Sequence, residues 1–221
     1  MVRSQKDHKT VKIDVRQDLF GANEEAASLN MKMFKEHGII AIDIMGSVGT
    51  GKTQLIEALC ERLSRKHRIL MVAGDLATTI DADRVRSHEI DTVQINTGTA
   101  CHLDARMIRV ALDGIDLSKY DIVFIENVGN LICPAGYALG ADKKIVVVST
   151  TEGPYMIRKH PLTIKRADLI VINKIDLAEI LQFDVDALVR DIREVDADLP
   201  VFKVSAKKGD GIDELLVGLG F

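Results

Sequence analysis

The chain has 221 residues, 47% of them hydrophobic and 28% charged, with a formal net charge of −4. That length makes one sizeable domain with room for a short appendage, and the acidic balance offers no overall attraction to nucleic acid or to an anionic membrane. With three cysteines, no apolar run near the roughly 20 residues that cross a bilayer, and no apolar centre of a secretory signal at its start, the sequence reads as cytoplasmic and without a disulfide framework.

Basic residues gather at the beginning (Arg3, Lys6, Lys9, Lys12), but Asp7 and Asp14 interrupt them, and the stretch reads as a solvated arm. Residues 15–37 predict a helix with a partly apolar face marked by Phe20, Ala26, Ala27, Met31, Met33 and Phe34, stopping at His37-Gly38. Residues 39–45 form an apolar run of strand type. Residues 53–67 predict an amphipathic helix with Leu55, Ile56, Leu59 and Leu63 on one face.

Between that strand and that helix lies Gly46-Ser47-Val48-Gly49-Thr50-Gly51-Lys52-Thr53, a phosphate-loop pattern in its confirming context. Glycines let the backbone curl so that its N–H groups surround phosphate oxygens, helped by the positive end of the next helix. Lys52 places a charge near the β- and γ-phosphates, and the Thr53 hydroxyl is placed to ligate Mg²⁺.

Further β-branched runs follow at 69–73, 92–95, 122–125, 145–149, 169–172 and 201–204, with helical stretches at 82–88, 103–112, 184–195 and 213–219. Strands that are apolar throughout and separated by helices indicate a parallel sheet covered on both faces. The predicted fold class is therefore α/β, a three-layer phosphate-loop NTPase fold with a predominantly parallel sheet. Residues 127–143 carry no clear element and follow a strand directly, which suits a nucleotide-sensing loop.

Asn173-Lys174-Ile175-Asp176 follows the strand at 169–172, and Ser205-Ala206-Lys207 follows the strand at 201–204. A carboxylate at Asp176 can accept from guanine N1–H and its exocyclic amine together, whereas adenine would leave it unpaired. Backbone N–H groups of the second motif can meet guanine O6. A phosphate loop and these two motifs, each at a strand end, predict GTP/GDP. On this reading residues 39–221 are a GTP-binding domain, and residues 1–38 are an arm and helix packed on it.

Two carboxylates also stand at strand ends: Asp75, and Glu126 in Glu126-Asn127-Val128-Gly129. They are candidate direct or water-mediated Mg²⁺ contacts, and with Lys52 the candidate catalytic residues. Thr78, Thr79, Asp81 and Asp83 after Asp75 suit a switch, and Gly129 can bring an N–H to the γ-phosphate. The next residue is Asn130, so the water-orienting glutamine of some GTPases is absent and unaided hydrolysis is expected to be slow.

Cys101 and His102 are adjacent, and Cys133 falls in the loop after Gly129. Thiolate and imidazole suit Zn²⁺ or Ni²⁺. Three such ligands do not close a four-coordinate structural site, unless two chains pool them or share a sulfur across a two-fold axis. The alternative is that both cysteines are small buried hydrophobes. Cys60, on the apolar face of the helix at 53–67, reads as core.

The blocks Asn96-Thr97-Gly98-Thr99-Ala100-Cys101-His102-Leu103-Asp104-Ala105 and Glu126-Asn127-Val128-Gly129-Asn130-Leu131-Ile132-Cys133-Pro134 resemble the HypB family of hydrogenase nickel-incorporation GTPases, over nearly the whole chain from the first helix onward. The urease-accessory GTPases are similar in fold and in part of the pattern. The resemblance implies a GTPase that helps deliver Ni²⁺ to the large subunit of a [NiFe]-hydrogenase alongside nickel-delivery accessory proteins. It also implies a homodimer when GTP is bound, with Zn²⁺ or Ni²⁺ held by Cys101, His102 and Cys133. Alternatives are assistance to urease, a carrier that does not hydrolyse GTP, or a small-molecule kinase. The N-terminal region departs from the family's cysteine-rich or histidine-rich variants, with His8 alone and no cysteine before Cys60.

Overall fold

The computed structural model of the chain describes residues 15–75 and 90–221, with side chains from residue 20 onward. The helix expected at 82–88, the switch residues Thr78, Thr79, Asp81 and Asp83, and the charged arm through Asp14 lie outside the described residues.

Seven strands form one sheet: β1 (Ile40–Met45), β2 (Ile69–Asp75), β3 (Asp91–Asn96), β4 (Ile122–Glu126), β5 (Lys143–Ser149), β6 (Leu169–Asn173) and β7 (Val201–Lys203). Their order is β3-β2-β4-β1-β5-β6-β7, with every neighbouring pair parallel. Parallel strands need crossover segments that cover both faces, which is why β4, β5 and β6 read as unbroken Ile/Val runs. Seven helices do the covering among the described residues: α1 (Val15–Glu36), α2 (Lys52–Leu63), α3 (Ala105–Leu112), α4 (Met156–Lys159), α5 (Pro161–Ile164), α6 (Val185–Val195) and α7 (Ile212–Leu219).

On one face α2 and α7 bury Leu55, Ile56, Leu59 and Leu215 against Ile42, Ile44, Phe124 and Val147. The other face carries two clusters. One joins Phe34 of α1 and Ile108 of α3 to Ala41, Val72 and Val123. The other joins Ile157, Ile164, Leu188 and Ile192 of α4–α6 to Met45, Val146 and Ile170. Each fully buried Leu or Ile in these layers contributes about 1.5–3 kcal/mol by leaving water. Asp43 lies between Ala41 and Met45 in the alternation of β1, so a buried carboxylate sits at the seam of the two clusters.

Some elements differ from the sequence expectation. The second helix ends at Leu63 rather than at residue 67, because the apolar stripe is exhausted there and Lys66 and His67 both turn back to the Leu63 carbonyl. The helix expected from residue 103 starts at Ala105, because the Asp104 side chain accepts from the Met107 amide at 2.8 Å and caps it. The short helices α4 and α5 were not legible, and Pro161, which has no N–H to satisfy, opens the second of them. Within 127–143 the chain makes one 3₁₀ turn, Cys133–Gly136.

The connections from β1 lead toward β2 on one side and its later neighbour β5 lies on the other, so a crevice opens at the carboxyl ends of the central strands. The sequence motifs end there.

Candidate functional site

Gly46 through Thr53 link β1 to α2 as a closed turn. The buried Lys52 ammonium donates to the carbonyls of Gly46 at 3.0 Å and Ser47 at 3.1 Å, and the Thr50 hydroxyl donates to Ser47 O at 3.0 Å. Gly51 stands before α2 in the left-handed region, φ 92°. A Cβ there would also come within 2.5 Å of the Asn173 amide nitrogen, so both conformation and space demand glycine. The amino end of α2 opens on a cleft of about 460 Å³ lined by Gly49, Lys52, Thr53, Asp75, Glu126 and Gly129.

The acidic side of the cleft is built by strand register. Ala73 of β2 pairs with Glu126 of β4, which brings Asp75 and Glu126 to neighbouring strand ends. The Thr53 hydroxyl donates to Glu126 Oε1 at 2.8 Å. A hydroxyl and two carboxylates are the hard oxygen donors a Mg²⁺ ion requires. Val48 at the loop tip is 80% exposed, and Gly129 packs on it so closely that a Cβ at 129 would meet Val48 Cγ2 at 2.5 Å. Asn130 bridges to Gly46 in antiparallel fashion. Its side-chain oxygen accepts the amides of Ile132 at 2.8 Å and Cys133 at 3.4 Å. The residue after Gly129 thus shapes the cysteine turn through its side-chain oxygen.

The base-side motifs meet at one buried asparagine. Asn173, 1% exposed, donates to the Thr50 carbonyl at 2.9 Å and accepts the amides of Lys174 at 2.7 Å and Ala206 at 3.0 Å. Lys174 adopts φ 61°, unusual outside glycine, and is held by the Thr150 hydroxyl at its carbonyl and by its own ammonium on Gly49 O at 2.5 Å. Asp176 Oδ1 accepts the Ser205 hydroxyl at 2.6 Å. Because the Ala206 amide serves Asn173, the expectation that amides of Ser205–Lys207 meet a base rests on the next amide, that of Lys207.

At the other end of the crevice, Cys101 Sγ lies 3.8 Å from His102 Nδ1. A hydrogen bond with Cys101, followed by burial, holds the Cys133 thiol above its ordinary range. The three predicted metal-binding side chains are thus neighbours. Burial lowers the His102 pKa against the pull of Asp104, favouring the neutral imidazole that binds metals. Among the described residues, however, no group of three or more His, Cys, Asp or Glu is arranged to hold a metal ion within one chain. Cys60 is buried in the core and its thiol is pushed up to about 12, as a packing residue should be.

A phosphate loop at the carboxyl end of the middle strand of an all-parallel sheet, with carboxylates on the adjoining strands, defines the phosphate-loop NTPases. Residues 40–203 match the model of the CobW/HypB/UreG nucleotide-binding domain. The chain is 46% identical over 204 residues to the probable hydrogenase maturation factor HypB of Methanocaldococcus jannaschii, covering 92% of each chain. It superposes on the crystal structure of HypB from Archaeoglobus fulgidus with TM-score 0.84 at 40% identity, covering 90% of this chain and 98% of that one. For HypB from Helicobacter pylori, solved in complex with nickel, the TM-score is 0.85 at 35% identity, covering 90% and 93%. The chain belongs to the CobW/HypB/UreG family, on its HypB branch.

Sequence reasoning missed several groups that the fold brings in. Glu152 accepts the Ser149 amide at 2.9 Å and hydrogen-bonds Ser47 of the phosphate loop. Burial raises its carboxyl above the usual range, opposed by those bonds and by Lys52 and Lys174. Tyr137 stacks on His102 with ring centroids 3.9 Å apart and planes at 25°. Asn23 and Asn30 of α1 bond to Ala105 on one side and to Ala138 and Leu139 on the other, so α1 clasps both loops flanking the cysteine pair. Glu152, in the loop just past β5, and Tyr137, directly after the cysteine turn, belong to no motif; only the three-dimensional arrangement exposes them.

Proposed function

We propose that this chain is a GTPase metallochaperone that binds GTP with Mg²⁺ and carries Ni²⁺ or Zn²⁺, assisting nickel insertion into a [NiFe]-hydrogenase. Residues 39–221 form its GTP-binding domain, and residues 1–38 an arm and helix packed on that domain. Its partners are a second copy of itself when GTP is bound, nickel-delivery accessory proteins and the hydrogenase large subunit. Its compartment is the cytoplasm; among the described residues no helix is long and apolar enough to cross a membrane. The names of its relatives support hydrogenase maturation, and the nickel complex of the Helicobacter relative supports nickel as cargo.

The observation that carries the reading is continuity between nucleotide and thiols. Glu126, bonded to Thr53, and Cys133 lie on one segment, and Asn130 joins its middle to Gly46 of the phosphate loop. In the proposed reaction Lys52 and the amides of Gly46, Ser47, Val48, Gly49, Thr50 and Gly51 hold the phosphates. Asp176 selects guanine, with Asn173, Lys174 and Ser205–Lys207 shaping the pocket. Thr53, Asp75 and Glu126 hold Mg²⁺, which when bound neutralises charge on the transferred phosphoryl group. The Gly129 amide registers the γ-phosphate, and the same segment moves Cys133 toward or away from Cys101 and His102. GTP favours the dimer, in which two chains complete the cargo site, and hydrolysis loosens it. Asn130 is committed to the cysteine turn, so turnover without a partner is slow.

Calorimetric titration with GTP, GDP and ATP, joined to single-turnover hydrolysis, tests this. Both guanine nucleotides should bind at least about 100-fold more tightly than ATP, and bound GTP should be cleaved. Absence of heat with GTP, or equal binding of ATP, contradicts the nucleotide assignment; absence of cleavage leaves only a metal carrier.

A further inference from the structure

A chain of buried and half-buried polar contacts runs from the cysteine–histidine pair and returns to it. Asn127 follows β4 and is 1% exposed. Its Oδ1 accepts the Leu103 amide and its own neighbour Val128's amide, each at 3.1 Å, while its Nδ2 donates to Asp43 Oδ1 at 3.2 Å. The other carboxylate oxygen of Asp43 faces the Lys144 ammonium at 3.7 Å. That ammonium also donates to the Tyr137 carbonyl at 3.2 Å, and the Tyr137 ring stacks on His102. Leu103 is the residue after His102, so the contacts form a closed ring with His102 gripped at its backbone neighbour and at its imidazole face.

The ring is joined to the nucleotide cleft at two points. Asn127 lies directly between Glu126 and Val128 in the chain. Leu103 is fully buried against Gly74, where a Cβ would come within 2.7 Å of Leu103 Cδ1, and Gly74 precedes Asp75.

We propose that Asn127, Asp43 and Lys144 are a buried tie that carries the nucleotide-dependent position of the Glu126–Gly129 segment to His102, with Asn127 the positioning residue at its hub. The proposal deepens the reading of Cys101, His102 and Cys133 as metal ligands and rests on it. Its physical basis is the cost of leaving a buried partner behind. Leaving a buried amide unsatisfied is costly, and leaving a buried carboxylate unpaired costs more. When the segment shifts, Asn127 therefore takes the Leu103 amide with it. Asparagine is the side chain that fits: it accepts from two amides and donates to a carboxylate at once. An ionised aspartate has no donor for Asp43, and leucine supplies none of the three bonds.

The test uses the full chain with GDP or a non-hydrolysable GTP analogue. Without metal, exchange of the Leu103 amide is followed by NMR or mass spectrometry. Zn²⁺ affinity is then measured against a chromophoric chelator for wild type, Asn127→Leu and Asn127→Asp. In wild type, Leu103 exchange and Zn²⁺ affinity should each change by about fivefold or more between the two nucleotides. In either variant, with each nucleotide at saturation, the affinity ratio should fall to within about twofold of one. A Leu103 amide indifferent to nucleotide in wild type overturns the proposal, even if both variants fail to fold. So does a variant that keeps the wild-type ratio. Failure of the ligand reading has a different signature: Cys101→Ser binding Zn²⁺ as tightly as wild type, with Leu103 still responding to nucleotide.

Discussion

The two ends of the crevice are each organised by one buried asparagine at a strand end, Asn173 after the run of β6 and Asn127 after β4, both 1% exposed. Asn173 ties together three segments within a single chain, at Thr50 of the phosphate loop, at Lys174 and at Ala206. Asn127 ties a strand end to a loop whose thiols and imidazole lie close together but, among the described residues, do not form a metal-holding group in one chain. The same device thus joins three loops on one side and ties a strand end to the Cys101–His102 loop on the other. Under the proposed function the difference says where change is built in: the Asn173 side is the fixed anchor, and the cysteine side is the part that nucleotide rearranges.

Four substitutions would break or sharpen that contrast. The largest effect belongs to Asp176→Asn, which exchanges an acceptor for a donor against guanine. GTP affinity should fall by about 10³-fold or more with a gain for xanthosine triphosphate, read by competition binding, and retained GTP selectivity would contradict the base assignment. Next, Asn173→Ala strands the Thr50 carbonyl and two amides. It should lower unfolding stability by about 2–4 kcal/mol and weaken nucleotide binding with it, measured by urea melts and calorimetry. A near-neutral melt would show that the three segments do not depend on it.

On the other side, Cys133→Ser should weaken metal binding by at least about tenfold with no measurable change in urea midpoint or GDP affinity. A matching loss of stability would make the cysteine side as rigid as the base side. The smallest effect is that of Glu152→Gln. Because burial raises the folded pKa of Glu152, its stabilising contribution is full below the ordinary glutamate range and is lost as pH rises through the raised value. The glutamine variant should lack that decline, so the melting temperature of variant minus wild type grows with pH in nucleotide-free protein. Parallel pH profiles would show that Glu152 titrates normally.

The strands and the phosphate loop were legible because their signals are local. Apolar, mostly β-branched runs mark β4, β5 and β6, Asp43 alone interrupts the run of β1, and glycine spacing marks a loop whatever surrounds it. The Asn173–Asp176 and Ser205–Lys207 motifs were read by residue type at strand ends, and the metal candidates by the adjacency of Cys101 and His102 and the place of Cys133 in the loop after Gly129. What stayed hidden is long-range polar pairing: the Asn127–Asp43 bond spans 84 positions and the Asn173–Thr50 bond 123. An asparagine after a strand looks like a turn residue, and Asp43 looks like a flaw in an apolar run, until the sheet brings the partners together. The helix at Ala105 illustrates the same limit at short range. Periodicity placed its start at Leu103, but that residue's amide is committed to Asn127 and its side chain to Gly74.

The most direct measurement is mass and bound metal on the same sample, by light scattering and elemental analysis, with Ni²⁺ or Zn²⁺ present and either GDP or a non-hydrolysable GTP analogue. The account predicts a dimer with tightly held metal shared between chains in the analogue state, and weaker metal retention with dissociation in GDP. Identical mass and identical metal content in the two nucleotide states would contradict it.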